Sequence, residues 1–422
     1  SMFIKHKLKN GIRLIAAPMT STKTVTVLAM VGAGSKYENK KNNGISHFLE
    51  HMFFKGTQKR PMAQNITEEL DKVGGEFNAF TTHEYTVYYA KVDASHLDLA
   101  LDVISDILIN SKFDAKEIEK EKGVIIEEMN MYQDAPQRYI GDLFEKLLYG
   151  DQPAGWHTIG EKGNILMFKR SDFLDYVSNH YTALNMAISV AGNFNKNSIY
   201  KKINSYFGKI ASGKAKGKEK VKEKQDKPEL SLRYKKTDQT HFCLGVRAYH
   251  MFYSLRFAQE ILAIILGGNM SSRLFTEVRE KRGLAYYIRT EMVEYTDSGY
   301  LVSQAGVDNK RINEAIEAIV NEYKKIKKDG ISAKELIKAK DYIKGKMALN
   351  LESSDEVASF LADQEILKNK IELPEEILCQ INKVTVSEVN NLAKDIFQSK
   401  KLNLALIGPF KDKERFEKLL VL

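Results

Sequence analysis

The chain repeats itself, and that repeat limits the folds open to it more than any other feature. The segment DAKEIEKEK at 114–122 returns as SAKELIKAK at 332–340, and the match runs on without a gap to Met129 and Met347 at an offset of 218 residues. Ahead of each copy lies a stretch with helical apolar spacing, LDLALDVISDILI at 97–109 and INEAIEAIVNEYKKI at 312–326. Ahead of those come strand-like runs, YTVYYAKV and GYLVSQAGV. The repeat predicts an α+β protein of two homologous domains, each an antiparallel sheet covered by helices. A length of 422 residues also exceeds what one ordinary core serves.

Between the copies, 211–227 reads ASGKAKGKEKVKEKQDK and is followed by Pro228; it has seven lysines against three acids and no aromatic residue. Such a stretch predicts a solvated tether. The expected domains are 1–210, carrying the chemistry described below, and 229–422, a degenerate copy, with a Lys-rich linker over 211–228 and the two domains facing each other as a clamshell. Much of the net charge of +9 falls in this linker. Nucleic-acid surfaces pair such charge with aromatics or a recognisable module, so no nucleic-acid partner is expected. No apolar run approaches the roughly 20 residues that span a bilayer, which argues against membrane insertion. The opening SMFIKHK lacks the apolar stretch of a secretory signal, and its Ser1 reads as a cloning remnant. Cys243 and Cys379 are the only cysteines and lie far apart, as in a reducing compartment, so a cytoplasmic location is expected.

The segment GISHFLEHMFFKG at 44–56 places Ile45, Phe48, Leu49 and Met52 at helical spacing, predicting a helix with one buried face. His47 and His51 then stand one turn apart on one side, where two imidazoles can reach a single metal ion. Glu50, one residue before the second histidine, is close enough to address a water on that metal. The competing reading is an amphipathic helix with histidines aligned by chance, an arrangement that nine histidines in the chain rarely produce.

A tetrahedral catalytic zinc takes three protein ligands and leaves a fourth position for water, although a site of two histidines and a carboxylate accepts other divalent ions too. Glu121 and Glu128 are seven residues apart and share a helix face near Val124, Ile125 and Tyr132, whereas Glu127 neighbours Lys120, Gly123 and Asn130 on the wet side. Glu128 is therefore read as the third ligand of one zinc per chain, and Glu121 as an acceptor that orients a ligating imidazole. At the offset of 218, Ala339 falls opposite Glu121, Lys346 opposite Glu128, and ILGGN at 265–269 opposite His47–His51, which confines this chemistry to the first half.

HFLEHMFFKGT and the downstream EKGVIIEEM resemble the pitrilysin-type inverzincin zinc peptidases, a family that includes insulin-degrading enzyme and the mitochondrial processing peptidase. Over essentially its whole length the chain is similar to short bacterial members akin to the processing peptidase beta subunit. The resemblance implies the same ligands, His47, His51 and Glu128, with Glu50 catalytic and Glu121 behind the metal. SSRLFTEVREKRGLAYYI at 271–288 is similar to the family's Arg and Tyr element, which implies that Arg279 and Tyr286 donate to a substrate carbonyl and its developing oxyanion. GGEFNAFTTHEY at 74–85 resembles the substrate-side edge strand, and implies that Asn78, Ala79 and Phe80 bind peptide by strand addition. The implied activity is that of a zinc metalloendopeptidase acting on unfolded peptides or presequence-like segments in a chamber between two domains. The implied assembly is a homodimer or a heterodimer with a related subunit. The alternative, a non-catalytic peptide-binding partner of a processing complex, is opposed by the intact set of His47, Glu50, His51 and Glu128.

Overall fold

A computed structural model describes residues 2–422; Ser1, read above as a cloning remnant, lies outside the described residues. The first sheet contains β1 (Ile4–Lys7), β2 (Arg13–Pro18), β3 (Thr24–Val31), β4 (Glu76–Thr81), β5 (Thr86–Asp93) and β6 (Met186–Gly192), in the order β1-β2-β6-β3-β5-β4. The second contains β7 (Glu229–Tyr234), β8 (Gln239–Ala248), β9 (Ala285–Glu294), β10 (Gly299–Asp308) and β11 (Leu402–Gly408), in the order β7-β11-β8-β10-β9. Two homologous α+β units are present, as the repeat predicts. The expectation of purely antiparallel sheets needs a correction, because β2 pairs parallel with β6 and β7 pairs parallel with β11. Parallel neighbours need a long crossover, and here most of each copy's helices lie between the two strands of the pair.

The helices of the first copy include α1 (Ile45–Met52), α2 (Ala63–Asp71), α3 (Leu97–Asn110), α4 (Ala115–Asp134) and α5 (Pro136–Tyr149). On β3, alternate residues enter different cores, as a period of two dictates. Val25, Val27, Ala29 and Val31 join the cluster built with α1, α3 and α4, while Leu28 and Met30 join Val357, Ala358, Leu361 and Ala362 of the helix Ser354–Lys368. In the second sheet Phe242, Leu244 and Val246 face one core, and Cys243 faces Tyr139, Ile140, Leu143 and Phe144 of α5.

The packed units are therefore not the two sequence halves. One comprises the chain up to Met129 with Trp156–Glu219 and Met347–Leu373; the other comprises Asn130–Gly155, Lys220–Lys346 and Pro374–Leu422. Each contains one segment from the opposite half of the sequence. The 211–227 stretch has no helix or strand, yet it is pinned rather than free. In the first unit the Ala183 amide donates to Ala211 O at 2.9 Å and the Lys216 amide to Asn179 O at 3.0 Å. In the second unit the Lys222 amide donates to Gln152 Oε1 at 2.9 Å. Among the described residues no helix is long and apolar enough to cross a membrane.

The repeat also has two offsets, not one. Asp93 and Asp308 each accept from the backbone amide two residues on, at 2.9 and 2.7 Å, and they sit 215 residues apart, opposite Thr24 and Gln239 in the sheets. The helices beginning at Ala115 and Ala333 are 218 apart. Carried by the strand register, the counterpart of His47–His51 is LAIIL at 262–266 rather than ILGGN, and neither segment contains histidine.

Candidate metal centre

Helix α1 buries Ile45, Phe48, Leu49 and Met52, each 1% exposed or less, as its spacing predicts. That packing leaves His47, Glu50 and His51, all only half-buried, on the remaining face. The helix starts at Gly44, whose φ of +102° is left-handed and whose added Cβ would fall 2.8 Å from Ile159 O, so glycine is required there. Gly44 has no side chain to cap the helix, and Glu38 does so from upstream. Its Oε2 accepts from the Gly44 amide and from Asn43 Nδ2, both at 3.0 Å, and its Oε1 accepts from the Ser46 amide at 2.9 Å. Burial pushes the Glu38 carboxyl up to about 7, against the N–H donors that pull it down. Sequence reasoning missed Glu38, because a carboxylate six residues ahead of the cap follows no capping signature; the glycine at the cap position was the only hint.

Helix α4 presents Ile118, Glu121, Lys122, Ile125 and Met129 as its buried stripe. Val124 is 51% exposed and Tyr132 37%, so these two do not line the apolar side as expected; Ile125 does. Glu127 is exposed and Glu128 half-buried.

The two helices bring three donor side chains together. His47 Nε2 and His51 Nε2 are 3.3 Å apart, Glu128 Oε1 is 3.4 Å from the first, and Glu128 Oε2 is 3.5 Å from the second. Ligand bonds of about 2.0–2.2 Å at tetrahedral angles separate neighbouring donors by roughly 3.3–3.5 Å, so this group fits a zinc ion. It is also the one cluster of three or more such side chains among the described residues that could hold a metal. On the other edge of His51, Nδ1 pairs with Glu121 Oε1 at 2.8 Å, and Lys55 Nζ holds Glu121 Oε2 at 2.9 Å. His47 Nδ1, by contrast, is buried with no hydrogen-bond partner among the described residues. Burial opposes charge on His51, but hydrogen bonds to Glu121 and Glu128 outweigh it and raise the imidazole to about 9. Burial likewise opposes ionisation of Glu128, yet His47 and His51 hold it well below the usual carboxylate range.

Glu50 is tied to the edge of the sheet. The Thr81 hydroxyl, at the end of β4, donates to Glu50 Oε2 at 2.5 Å. Strand β4 pairs only with β5 and forms one edge of its sheet. Along it Asn78 and Phe80 are exposed while Ala79 turns toward the core. Arg279 and Tyr286 belong to the second unit. Arg279 lies on a π-helical turn, Phe275–Lys281, with its guanidinium 4.9 Å from the Phe275 ring centre, and Tyr286, near the start of β9, is 55% exposed. The fold thus joins His47, His51, Glu121 and Glu128, and links Glu50 to the strand bearing Asn78, Ala79 and Phe80.

Residues 14–162 match the profile of Insulinase (Peptidase family M16), and residues 168–343 match that of the Peptidase M16 inactive domain. An uncharacterized zinc protease of Bacillus subtilis, YmxG, is 38% identical over 409 residues, covering 97% of this chain and 98% of its own. An uncharacterized zinc protease of Mycobacterium leprae is 34% identical over 410 residues, covering 96% and 92%. Among solved structures, a protease from Helicobacter pylori superposes with a TM-score of 0.89 at 24% identity, covering 96% of this chain and 99% of that one. A chain of complex III2 from Candida albicans superposes at 0.85 with 18% identity, covering 99% and 100%, a likeness of fold. With relatives matched from end to end and both family profiles in chain order, the chain belongs to peptidase family M16, the insulinase family.

Proposed function

We propose that the chain is a zinc-dependent endopeptidase holding one zinc through His47, His51 and Glu128, with Glu50 as general base. The observation that carries this reading is the convergence of His47 Nε2, His51 Nε2 and the Glu128 carboxylate, whose two oxygens approach one imidazole each, at contacts of 3.3 to 3.5 Å. The zinc-protease names of the Bacillus and Mycobacterium relatives support it. Zinc bound there supplies Lewis acidity and brings the pKa of a water down to about 7. Glu50 would serve as the carboxylate that holds a water proton and passes it to the leaving amine. The Thr81 hydroxyl occupies one Glu50 oxygen and leaves the other for this transfer. Glu121 accepts from Nδ1–H of His51, which would fix the tautomer that leaves Nε2 as the ligand atom.

The edge of β4 takes an extended peptide through main-chain hydrogen bonds, with Asn78, Ala79 and Phe80 flanking it. Strand addition needs an unfolded backbone, so the substrates are flexible peptides or presequence-like segments. Arg279 and Tyr286 serve as donors to the substrate carbonyl, and the working form is a homodimer or a heterodimer with a related subunit. The test is zinc analysis beside digestion of an unstructured peptide library and of a compact folded domain, by wild type and Glu50→Gln. The expected result is one zinc in each protein, cleavage of the flexible peptides alone, and a loss on the order of 10²–10⁴-fold in Glu50→Gln. A zinc-loaded wild type inert on every flexible peptide overturns the reading in favour of a binding-only subunit.

A further inference from the structure

The second copy keeps the helices that correspond by order to α1 and α4, namely Arg256–Gly267 and Ala333–Asn350. A cleft of about 290 Å³ opens between them and the π-helical turn Phe275–Lys281. In the first unit Glu121 reaches from α4 to His51 and Lys55. Its counterpart in the repeat is Ala339, which is 2% exposed and lines the cleft, so a carboxylate and its partners have given way to space.

The lining has two chemistries. Ile264, Ile265 and Ala339 supply an apolar patch. Around it charges of both signs alternate. Arg273 grips Glu335 through two hydrogen bonds of 2.7 and 2.9 Å, and Lys281 pairs with Glu277 at 3.1 Å. Glu322 is 6% exposed and accepts from Lys325 Nζ at 3.1 Å through one oxygen. Lys338 Nζ donates to Ser271 O at 3.0 Å, with no carboxylate partner among the described residues. Ser272 also lines the cleft, only 3% exposed, and its hydroxyl has no hydrogen-bond partner among the described residues.

We propose that this cleft binds a small zwitterion of free amino-acid or dipeptide size. Its carboxylate meets the Lys338 ammonium, its ammonium meets the Glu322 and Glu277 carboxylates, and a short aliphatic side chain lies on Ile264, Ile265 and Ala339. The volume sits at the low end for ligand pockets, which excludes a nucleotide. A plain anion would meet three carboxylates and a plain cation three basic side chains, so a ligand carrying both charges suits the lining. The site is independent of the hydrolysis proposed above.

The test is titration calorimetry of the full chain with leucine, with leucyl-leucine and with uncharged N-acetyl-leucine amide, repeated on His47→Ala. The expected result is saturable one-to-one binding of a zwitterion, weaker by about tenfold or more for the neutral analogue, and unchanged in His47→Ala. Lys338→Glu, at an exposed position, weakens binding by about tenfold, and Ala339→Phe, which fills the cleft, abolishes it. Absence of saturable binding by either zwitterion, equal binding of the neutral analogue, loss of binding in His47→Ala, or an unaffected Lys338→Glu overturns the proposal. Because Lys338 is on the surface, its substitution remains decisive even if Ala339→Phe fails to fold.

Discussion

Helix α1 of the first unit and the helix Arg256–Gly267 of the second hold the same place in the element order, yet they are anchored by different forces. The second buries Ala258, Ile261, Leu262, Ala263, Ile265 and Leu266, apolar on most sides, so packing dominates its anchoring, with the buried Gln259 side chain adding hydrogen bonds to Tyr249 and Glu294. Helix α1 has only eight residues and keeps one face for His47, Glu50 and His51. What it forgoes in apolar contact it recovers through hydrogen bonds from outside, to Glu38 at its start and to Glu121 beside His51. A repeated fold can thus give one copy a reactive face, provided other segments hold that face in place.

Breaking the comparison at its strongest point means removing a ligand. Glu128→Ala or His47→Ala should empty the centre of metal and end peptide hydrolysis, whereas Lys346→Glu at the corresponding position of the second copy should change neither; metal analysis of the purified variants decides. Next in size is Glu121. Its replacement by glutamine should weaken zinc by about 10–100-fold while leaving the three ligands intact, as read by competition with a chelator.

A pH series sharpens the same contrast. Glu121 and Glu128 raise His51 from 6.5 to about 9, so in metal-stripped protein its charged pairing adds stability that is complete below pH 6.5 and fades as pH rises through about 9. Zinc takes the same imidazole in its neutral form, so its affinity should climb by about tenfold per pH unit across that window. Melting temperature and zinc affinity should therefore move in opposite directions; an affinity independent of pH between 6.5 and 9 would contradict the assignment of His51. The smallest effect belongs to the cap. Glu38→Ala should cost about 1–3 kcal/mol of stability in denaturant unfolding. Glu38→Gln should also remove the part of the stability profile that declines between pH 4.5 and about 7, where the folded chain holds a proton that the unfolded chain releases.

The cluster of His47, His51 and Glu128 was legible in the sequence because i,i+4 histidines share one helix face and glutamates seven apart share another. The strand and helix order was legible because β5 with α3 and β10 with Ile312–Asp329 repeat one pattern of apolar spacing. Other features depend on distances that no local period encodes. Glu38 reaches its target across a loop, and Val124 looks apolar in α4 although the partners that bury Ile125 do not extend to it. The parallel pairing of β2 with β6 joins strands more than 160 residues apart, beyond the reach of any turn signal. A single offset of 218 misplaced the counterpart of α1, because the second copy gains three residues only after its equivalent of α3 has begun.

The helix Ser354–Lys368 lies against Ile15, Leu28 and Met30 of the first sheet, although the chain reaches it only after the whole second sheet but β11 has been laid down. A fragment ending in the lysine-rich stretch would present that sheet face bare to water, and the complementary fragment would lack α5 over Cys243 and Val302. Neither piece would be a self-sufficient expression product, so a cut there calls for co-production of both. During synthesis, the first sheet must wait for nearly the entire polypeptide to leave the ribosome before that face is covered.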